Sequence, residues 1–333
     1  MWTWALAWVV AGVSWRADLL ANLAAQGLLL TCALAVLWLL TRRRGLFILA
    51  VLACAMHGWV LSTGRAAWLP RTFEIAARAP GAVRFLHYNA SHKRPPGEVF
   101  AMLGAASPDV ASITEPNVPL QVELIYGTAL EDEYPYRLKR LFNERSPADR
   151  VGAGVVLSRW PLEPYPVGTI VSANLAEEFI AAVLSVPAAA TGQTGETRWG
   201  LIAIHPRSPR NAARWAYGNE LASACAAVAA RMQTEGLPVV VLADLNATPT
   251  GWRSRELYFA AGLRRAKPLL ATEGTYPAWI ERGGRGPYPL AWPATIAIDD
   301  AFVSQGLDVR GWMRVDPAGS DHWPVLMELA PKP

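Results

Sequence analysis

The sequence predicts an α+β sandwich, with sheets inside and helices outside, behind an N-terminal membrane anchor. Three observations predict it. Short apolar runs of strand length, with only a few helical patterns between them, fill residues 82–330. Those runs end repeatedly on polar residues: Asn89, Glu115, His205, Asp244, Asn246, Asp321 and His322. Residues 1–62, by contrast, carry as charges only Arg16, Asp18, Arg42, Arg43 and Arg44.

The N-terminal segment comes first. Residues 19–40 form an uncharged, mostly apolar run of 22, long enough to cross a bilayer as a helix. Residues 45–62 form a second run of 18, near the lower limit, and residues 1–15 a third that is short for a span. The expected anchor is residues 1–62, with two or three transmembrane helices. A cleaved signal peptide fits poorly, because a basic leading region is missing and two longer apolar runs follow. A buried helical hairpin is the alternative, and the lack of polar faces on both long runs speaks against it. The loop Thr41-Arg42-Arg43-Arg44-Gly45 is strongly basic and should lie in the cytoplasm. Everything after Ser62 then emerges on the other side, which in a bacterial inner membrane is the periplasm.

Removing the four arginines and one aspartate of this segment from totals of 31 basic and 27 acidic residues leaves 27 and 26. The pI of 9.1 therefore belongs largely to the anchor. The near-neutral remainder gives no general electrostatic argument for binding nucleic acid. Of three cysteines, only Cys225 lies outside the apolar runs, which excludes a disulfide framework or a cysteine zinc site in the soluble part.

Residues 63–81, with Pro70 and Pro80, read as a linker. The domain, residues 82–330, then begins with a strand over 83–89 and a short helix over 97–106 closed by Pro108. A strand over 109–115 ends on a carboxylate, and strands follow over 151–158 and 179–186. Gly192-Gln193-Thr194-Gly195 marks a hairpin tip before a strand over 201–205. Residues 211–235 place Trp215, Leu221, Cys225, Val228 and Met232 on one helix face, with Gly236 and Pro238 as the stop. Strands over 239–244, 298–304 and 323–329 complete the pattern. Residues 272–293, rich in Pro and Gly, read as a long loop with Tyr276, Trp279, Tyr288 and Trp292.

The polar strand ends carry the chemistry. An apolar strand that finishes in Asp-x-Asn presents acid and amide at a sheet edge, where sites are usually built. Taken singly, each has a plain structural reading: Asn89 as a turn residue, Asp244 as a loop cap, His205 as a hydrogen-bonded core edge. Their recurrence at so many strand ends favours a site.

These stretches, in this order, resemble the endonuclease/exonuclease/phosphatase superfamily, the group that includes DNase I and neutral sphingomyelinases. The matching pieces are Leu86-His87-Tyr88-Asn89, Pro108-Asp109-Val110 through Glu115, and residues 154–162. They continue with Ile204-His205-Pro206, Asp244-Leu245-Asn246-Ala247-Thr248-Pro249, Ile298-Asp299 and Ser320-Asp321-His322-Trp323-Pro324. The membrane segments also resemble those on bacterial members that carry N-terminal helices. The resemblance implies a four-layer α/β sandwich, the DNase I-like fold, with the site at one rim of the two sheets. It implies a metal-dependent phosphoric ester hydrolase, a phosphodiesterase or phosphatase, using Mg²⁺ or Mn²⁺. A phosphodiester is anionic and repels hydroxide, so such a site must supply positive charge and an activated water.

By resemblance, Glu115 is the main metal ligand, with Asn89 beside it and Asp321 contributing. Asp244 orients or deprotonates the attacking water, and Asn246 bonds a phosphate oxygen or the nucleophile. His322 meets the scissile phosphate, held by Asp299 through its other ring nitrogen, and His205 is the acid for the leaving group. Three departures stand out. Thr114 occupies a position where many members have Gln, Ser91 stands where many nucleases have an acid, and Ala297 replaces an Arg before Ile298-Asp299. The expected partners are a phosphate-ester substrate, whether lipid head group or nucleic acid, and the bilayer through the N-terminal helices. Arg207, Arg210 and Arg214 could grip phosphates in a nuclease of periplasmic or incoming DNA, with Arg207 and Arg214 as substrate-binding candidates. A catalytically silent membrane-anchored binding scaffold is the third alternative.

Overall fold

The structure, a computed structural model, describes residues 2–67, 78, 80–91, 94–139, 154–176, 178–271, 273–278 and 296–332. Two six-stranded mixed sheets face each other. One has the order β11-β12-β1-β2-β4-β3, from β1 (Val83–Asn89), β2 (Val110–Thr114), β3 (Tyr136–Lys139), β4 (Gly154–Ser158), β11 (Leu307–Arg314) and β12 (Val325–Pro331). The other has the order β5-β6-β7-β8-β10-β9, from β5 (Leu162–Pro164), β6 (Phe179–Val186), β7 (Thr197–Ile204), β8 (Val239–Asp244), β9 (Arg264–Arg265) and β10 (Asp299–Val303). The pairs β1–β2 and β7–β8 are parallel and sit inside their sheets.

Period-2 alternation of side chains builds the layers. Phe85, Leu201, Val240, Leu242, Ala301 and Met327 meet in the core between the sheets. The alternate residues Val239, Val241 and Ala243 pack outward against helices α9 (Ala212–Thr234) and α10 (Trp252–Phe259). On the other sheet Leu86, Tyr88 and Ile113 pack outward against α5 (Pro96–Ala106) and α6 (Val118–Tyr126). The result is helix, sheet, sheet, helix. Cys225 is buried on α9, whose start is capped by the Asn211 side chain.

Several short elements lie outside the sequence reading. β3, β5 and β9 are too short to show periodicity, and β11 contains polar residues at Asp308 and Arg310 because it is an edge strand. The strand expected over 151–158 begins at Gly154, residues 151–153 being outside the described residues. Trp279, Tyr288 and Trp292 of the long loop are also outside them. The start of the expected linker is docked rather than loose: Arg65 bridges to Arg265, and Ala66 N–H donates to the Arg265 carbonyl.

The N-terminal run departs most from expectation. Four helices form: α1 (Trp2–Val9), α2 (Trp15–Ala21), α3 (Ala24–Leu40) and α4 (Arg44–Ser62). α4 is long and apolar enough to cross a membrane. Residues 19–40, expected as one helix, are broken at Asn22–Leu23, and α2 and α3 meet at 62°. The break has a cause. Asn22 leaves the helix pattern to bond the loop after β8, its Oδ1 accepting from Thr248 N–H at 2.5 Å. α1, at eight residues, rises only about 12 Å, too little for a span. It rests on α4 through Trp8 and Trp59, whose rings meet edge-on at 5.2 Å.

Candidate active site

Strand parity selects the residues at one rim. Asp244 continues the inward set Val240 and Leu242, Asp299 the set Ala301 and Val303, and Asn89 the set Val83 and Phe85. His205, one residue past β7, continues Leu201 and Ala203. Asp244 and Asp299 are direct cross-strand partners. Asn89 comes from the other sheet and closes the gap, its Nδ2 donating to Asp244 Oδ2 at 3.0 Å. Glu115 breaks the alternation with a left-handed φ of 50°, and Asn246 does the same with 48°. Such non-glycine conformations cost energy and are held where the surroundings fix them.

Asp244 is the hub. Its Oδ1 accepts from Asn246 N–H at 2.8 Å, and its Oδ2 lies 3.3 Å from His205 Nε2 and 3.8 Å from His322 Nδ1. His205 Nε2 is also 3.4 Å from Glu115 Oε1, and Asn246 Nδ2 lies 3.3 Å from that same nitrogen. His322 Nδ1 bonds Asp299 Oδ2 at 2.9 Å. Burial works against the charge on Asp244, but both histidines outweigh it and hold the carboxyl below its usual range. Burial likewise opposes protonation of His322, yet Asp299 and Asp244 push its pKa up to about 10. Asp299 itself, buried and beside Asp244, is raised to about 6. At neutral pH the pair is therefore an imidazolium–carboxylate. His205 is raised as well, the Asp244 hydrogen bond overcoming burial.

A cavity of about 560 Å³ opens over this hub. Nine of the ten residues singled out from the sequence line it: Asn89, Glu115, His205, Arg207, Arg214, Asp244, Asn246, Asp321 and His322. The tenth, Asp299, is fully buried behind His322. A larger cavity of about 670 Å³ lies elsewhere, but its charges are spent on each other, Arg231 with Glu235 and Arg198 with Glu163.

The donor set suits a hard cation. Glu115, Asn89 and Asp321 line the cavity; Asn89 Oδ1 already accepts from Ser91 N–H at 2.8 Å, whereas Asp321 Oδ1 is a buried atom with no hydrogen-bond partner among the described residues. Asp244, Asp299 and His322 also bring ligand atoms within 4.8 Å of one another. Those atoms, however, are already bonded among themselves and to Asn89, which favours handling a proton over holding a metal.

Other residues complete the site. Thr275 Oγ1 accepts from Ile298 N–H and Asp299 N–H at 2.9 and 3.0 Å, fixing the strand start that carries Asp299. Ser320 Oγ donates to the Asn89 carbonyl at 2.7 Å and accepts from His322 N–H at 3.1 Å, tying Asn89 to His322. The Tyr276 ring lies 4.8 Å from the His322 ring. His87 is fully buried, its Nε2 3.7 Å from Asp299 Oδ1. Leu19, Asn22 and Leu23 of the N-terminal segment also line the cavity. His87 and Ser320 stood inside the motifs, whereas nothing in the spacing links Thr275 or Asn22 to them.

Comparison with solved structures gives the same fold. The endonuclease/exonuclease/phosphatase from Bacteroides vulgatus has 16% identity and a TM-score of 0.53, over 75% of this chain and 99% of that one. Its counterpart from Beutenbergia cavernae has 19% identity and a TM-score of 0.52, over 75% and 72%. The human Nocturnin catalytic domain, with bound sulfate, has 17% identity and a TM-score of 0.51, over 77% and 97%. At such identities these likenesses speak for the fold alone. No curated protein matches the chain. The family model for the Endonuclease/Exonuclease/phosphatase family matches residues 86–322, a stretch that runs from β1 to His322 and includes all ten site residues. The chain therefore belongs to the endonuclease/exonuclease/phosphatase family of hydrolases.

Proposed function

We propose that the protein is a divalent-metal-dependent hydrolase of phosphate esters, anchored by its N-terminal helices with the catalytic domain extracytoplasmic. The observation that carries this reading is the carboxylate-held His322, 2.9 Å from Asp299, set beside Asp244 in a cavity that also presents oxygens of Glu115, Asn89 and Asp321. Glu115 is the principal ligand for Mg²⁺ or Mn²⁺, with Asn89 and Asp321 as further donors. When bound, the ion supplies positive charge against the anionic phosphate and polarises its oxygens.

The chain's own groups divide the remaining work. Asp244, fixed at both oxygens by Asn246, Asn89 and His205, orients the attacking water and takes its proton. Asn246 bonds a phosphate oxygen. His322 has Nδ1 committed to Asp299, so Nε2 is the atom that meets the phosphoryl oxygens and stabilises their developing charge. His205 protonates the leaving oxygen. Arg207 and Arg214 at the cavity wall hold the anionic substrate.

A nuclease is the second reading, favoured by Arg210 joining Arg207 and Arg214 on the same wall. One experiment separates the readings. The full-length chain is assayed with Mg²⁺ or Mn²⁺ against lipid phosphodiesters, phosphomonoesters and plasmid DNA, beside His322→Ala and Asp244→Ala. Each variant should lose about 10²-fold or more of the activity. Activity that survives both would refute the site assignment. Cleavage of DNA alone, falling steeply with salt, would establish the nuclease. No hydrolysis of any class would favour the silent scaffold.

A further inference from the structure

We propose that the α2–α3 elbow is part of the active site and receives the apolar tail of a membrane-lipid phosphate ester. The inference rests on the phosphate-ester reading and adds the substrate class. It begins with the placement of Asn22 and Thr248. Both residues line the 560 Å³ catalytic cavity, and both also line a second cavity of about 360 Å³. The two chambers therefore lie on either side of this contact, where Thr248 N–H donates to Asn22 Oδ1 and Thr248 Oγ1 donates to the Asn22 carbonyl at 3.0 Å.

The chambers differ in chemistry. The first holds the acids, histidines and arginines, with Leu19 and Leu23 on its elbow side. The second is walled largely by apolar groups, Ala25, Leu28 and Leu29 of α3, Leu61 of α4, and Pro249 and Leu269 of the domain, with Gln26 and Glu273 also on its wall. Its cations are engaged with the protein, Arg65 Nη1 donating to the Lys267 carbonyl at 2.9 Å and Lys267 Nζ to the Ala271 carbonyl at 2.6 Å. Leu29 is 60% exposed, so this chamber lies against the apolar outer face of the N-terminal helices.

A chamber that carries the acids, histidines and arginines and a more apolar one, on either side of one contact, match the head and tail of an amphiphile. A nucleic acid or a small soluble ester would leave the apolar chamber unused. The elbow is also fastened in place. Asp18 accepts from Trp252 N–H and from Trp215 Nε1–H, both at 2.8 Å, and Trp15 Nε1–H donates to the Pro209 carbonyl at 2.8 Å. Gly251 permits this approach, because a Cβ there would lie 2.5 Å from Asn22 Oδ1.

The test is binding rather than turnover. Full-length chain in nanodiscs, with Mg²⁺, is titrated calorimetrically with methyl phosphate and with octyl phosphate, and empty discs are subtracted. Octyl phosphate should bind at least about tenfold tighter, the effect of burying two methylenes. Ala25→Trp, which fills the apolar chamber from an exposed position, should bring the ratio towards one. Leu28→Ser serves as a second variant with the same expectation, and a fall in the ratio in either supports the proposal. Equal affinities in the wild type, or a ratio unchanged in both variants, overturns the elbow's role and leaves the phosphate-ester reading standing. Failure of both phosphates to bind overturns that reading and this inference with it.

Discussion

His322 keeps its ring orientation and charge only while Asp299 accepts from its Nδ1, and Asp299 is itself fixed by Thr275 and its cross-strand place opposite Asp244. Asp299→Asn removes the charge that holds the imidazolium, so kcat should fall about 10²-fold or more while the melting temperature changes little. A variant with full kcat would remove Asp299 from the mechanism. Away from the site, Lys267 shows what burial does to a charge. It lies over the Trp312 ring, and burial, reinforced by Arg65, lowers its pKa from 10.5 to about 7 despite Asp300 nearby. Between about pH 7 and 10.5 the unfolded chain binds a proton there that the folded chain does not. Stability contributed at this position therefore rises with pH through that window and is lower at and below pH 7. Lys267→Met should flatten that slope and raise stability at pH 7 by about 1 kcal/mol or more, read from melting temperatures at pH 7 and pH 9. The polar types at strand ends were legible from sequence because an apolar run makes its terminal acid conspicuous. Thr275 was not, since a threonine in a long loop looks like any other until its hydroxyl is seen to receive two backbone N–H groups.

Helix α10 begins at Gly251, which has no capping side chain, and Asp18 from the distant α2 takes the Trp252 N–H in its place. Here one secondary-structure element is completed by another across more than two hundred residues. The loop between β8 and α10 carries Asn246 and is tied to the elbow through Thr248 and Thr250, whose Oγ1 donates to the Ala21 carbonyl at 2.5 Å. Asn22→Ala would leave Thr248 N–H without its acceptor, at a cost of about 1–3 kcal/mol. If the elbow positions the catalytic loop, this variant should lower kcat with little change in KM for a short-chain ester. A loss of stability with kcat intact in Asn22→Ala would make the contact structural only. The long strands and α9 were legible because periodicity accumulates over their length. The break at Asn22 was not, because an apolar run with one asparagine reads as continuous helix until its tertiary partner is known.

At the scale of the whole molecule the N-terminal segment is fastened to the domain through α2 and Asn22, by Asp18 to Trp252 and Trp215 and by Asn22 to Thr248. The basic Arg42–Arg44 turn lies between α3 and α4, and the orientation proposed above puts the domain on the side opposite that turn. An alkaline phosphatase fused after Pro333 should then be active in a bacterial host, and a fusion that stays inactive would reverse the orientation.

The sequence alone determined the longer strands, helices α5 and α9, the motif residues and the apolar N-terminal runs, because side-chain period, terminal polarity and hydrophobic length are local properties. The tertiary structure decided which of those residues meet. Asn89 reaches Asp244 only because two sheets face each other, and Asp299 lies behind His322 only because β10 pairs with β8 in one register. It also decided that residues 19–40 bend at Asn22 instead of continuing as one helix. Hydrogen bonds between residues 18–22 and 215–252 fix that bend, and contacts so remote along the chain leave no local pattern to read.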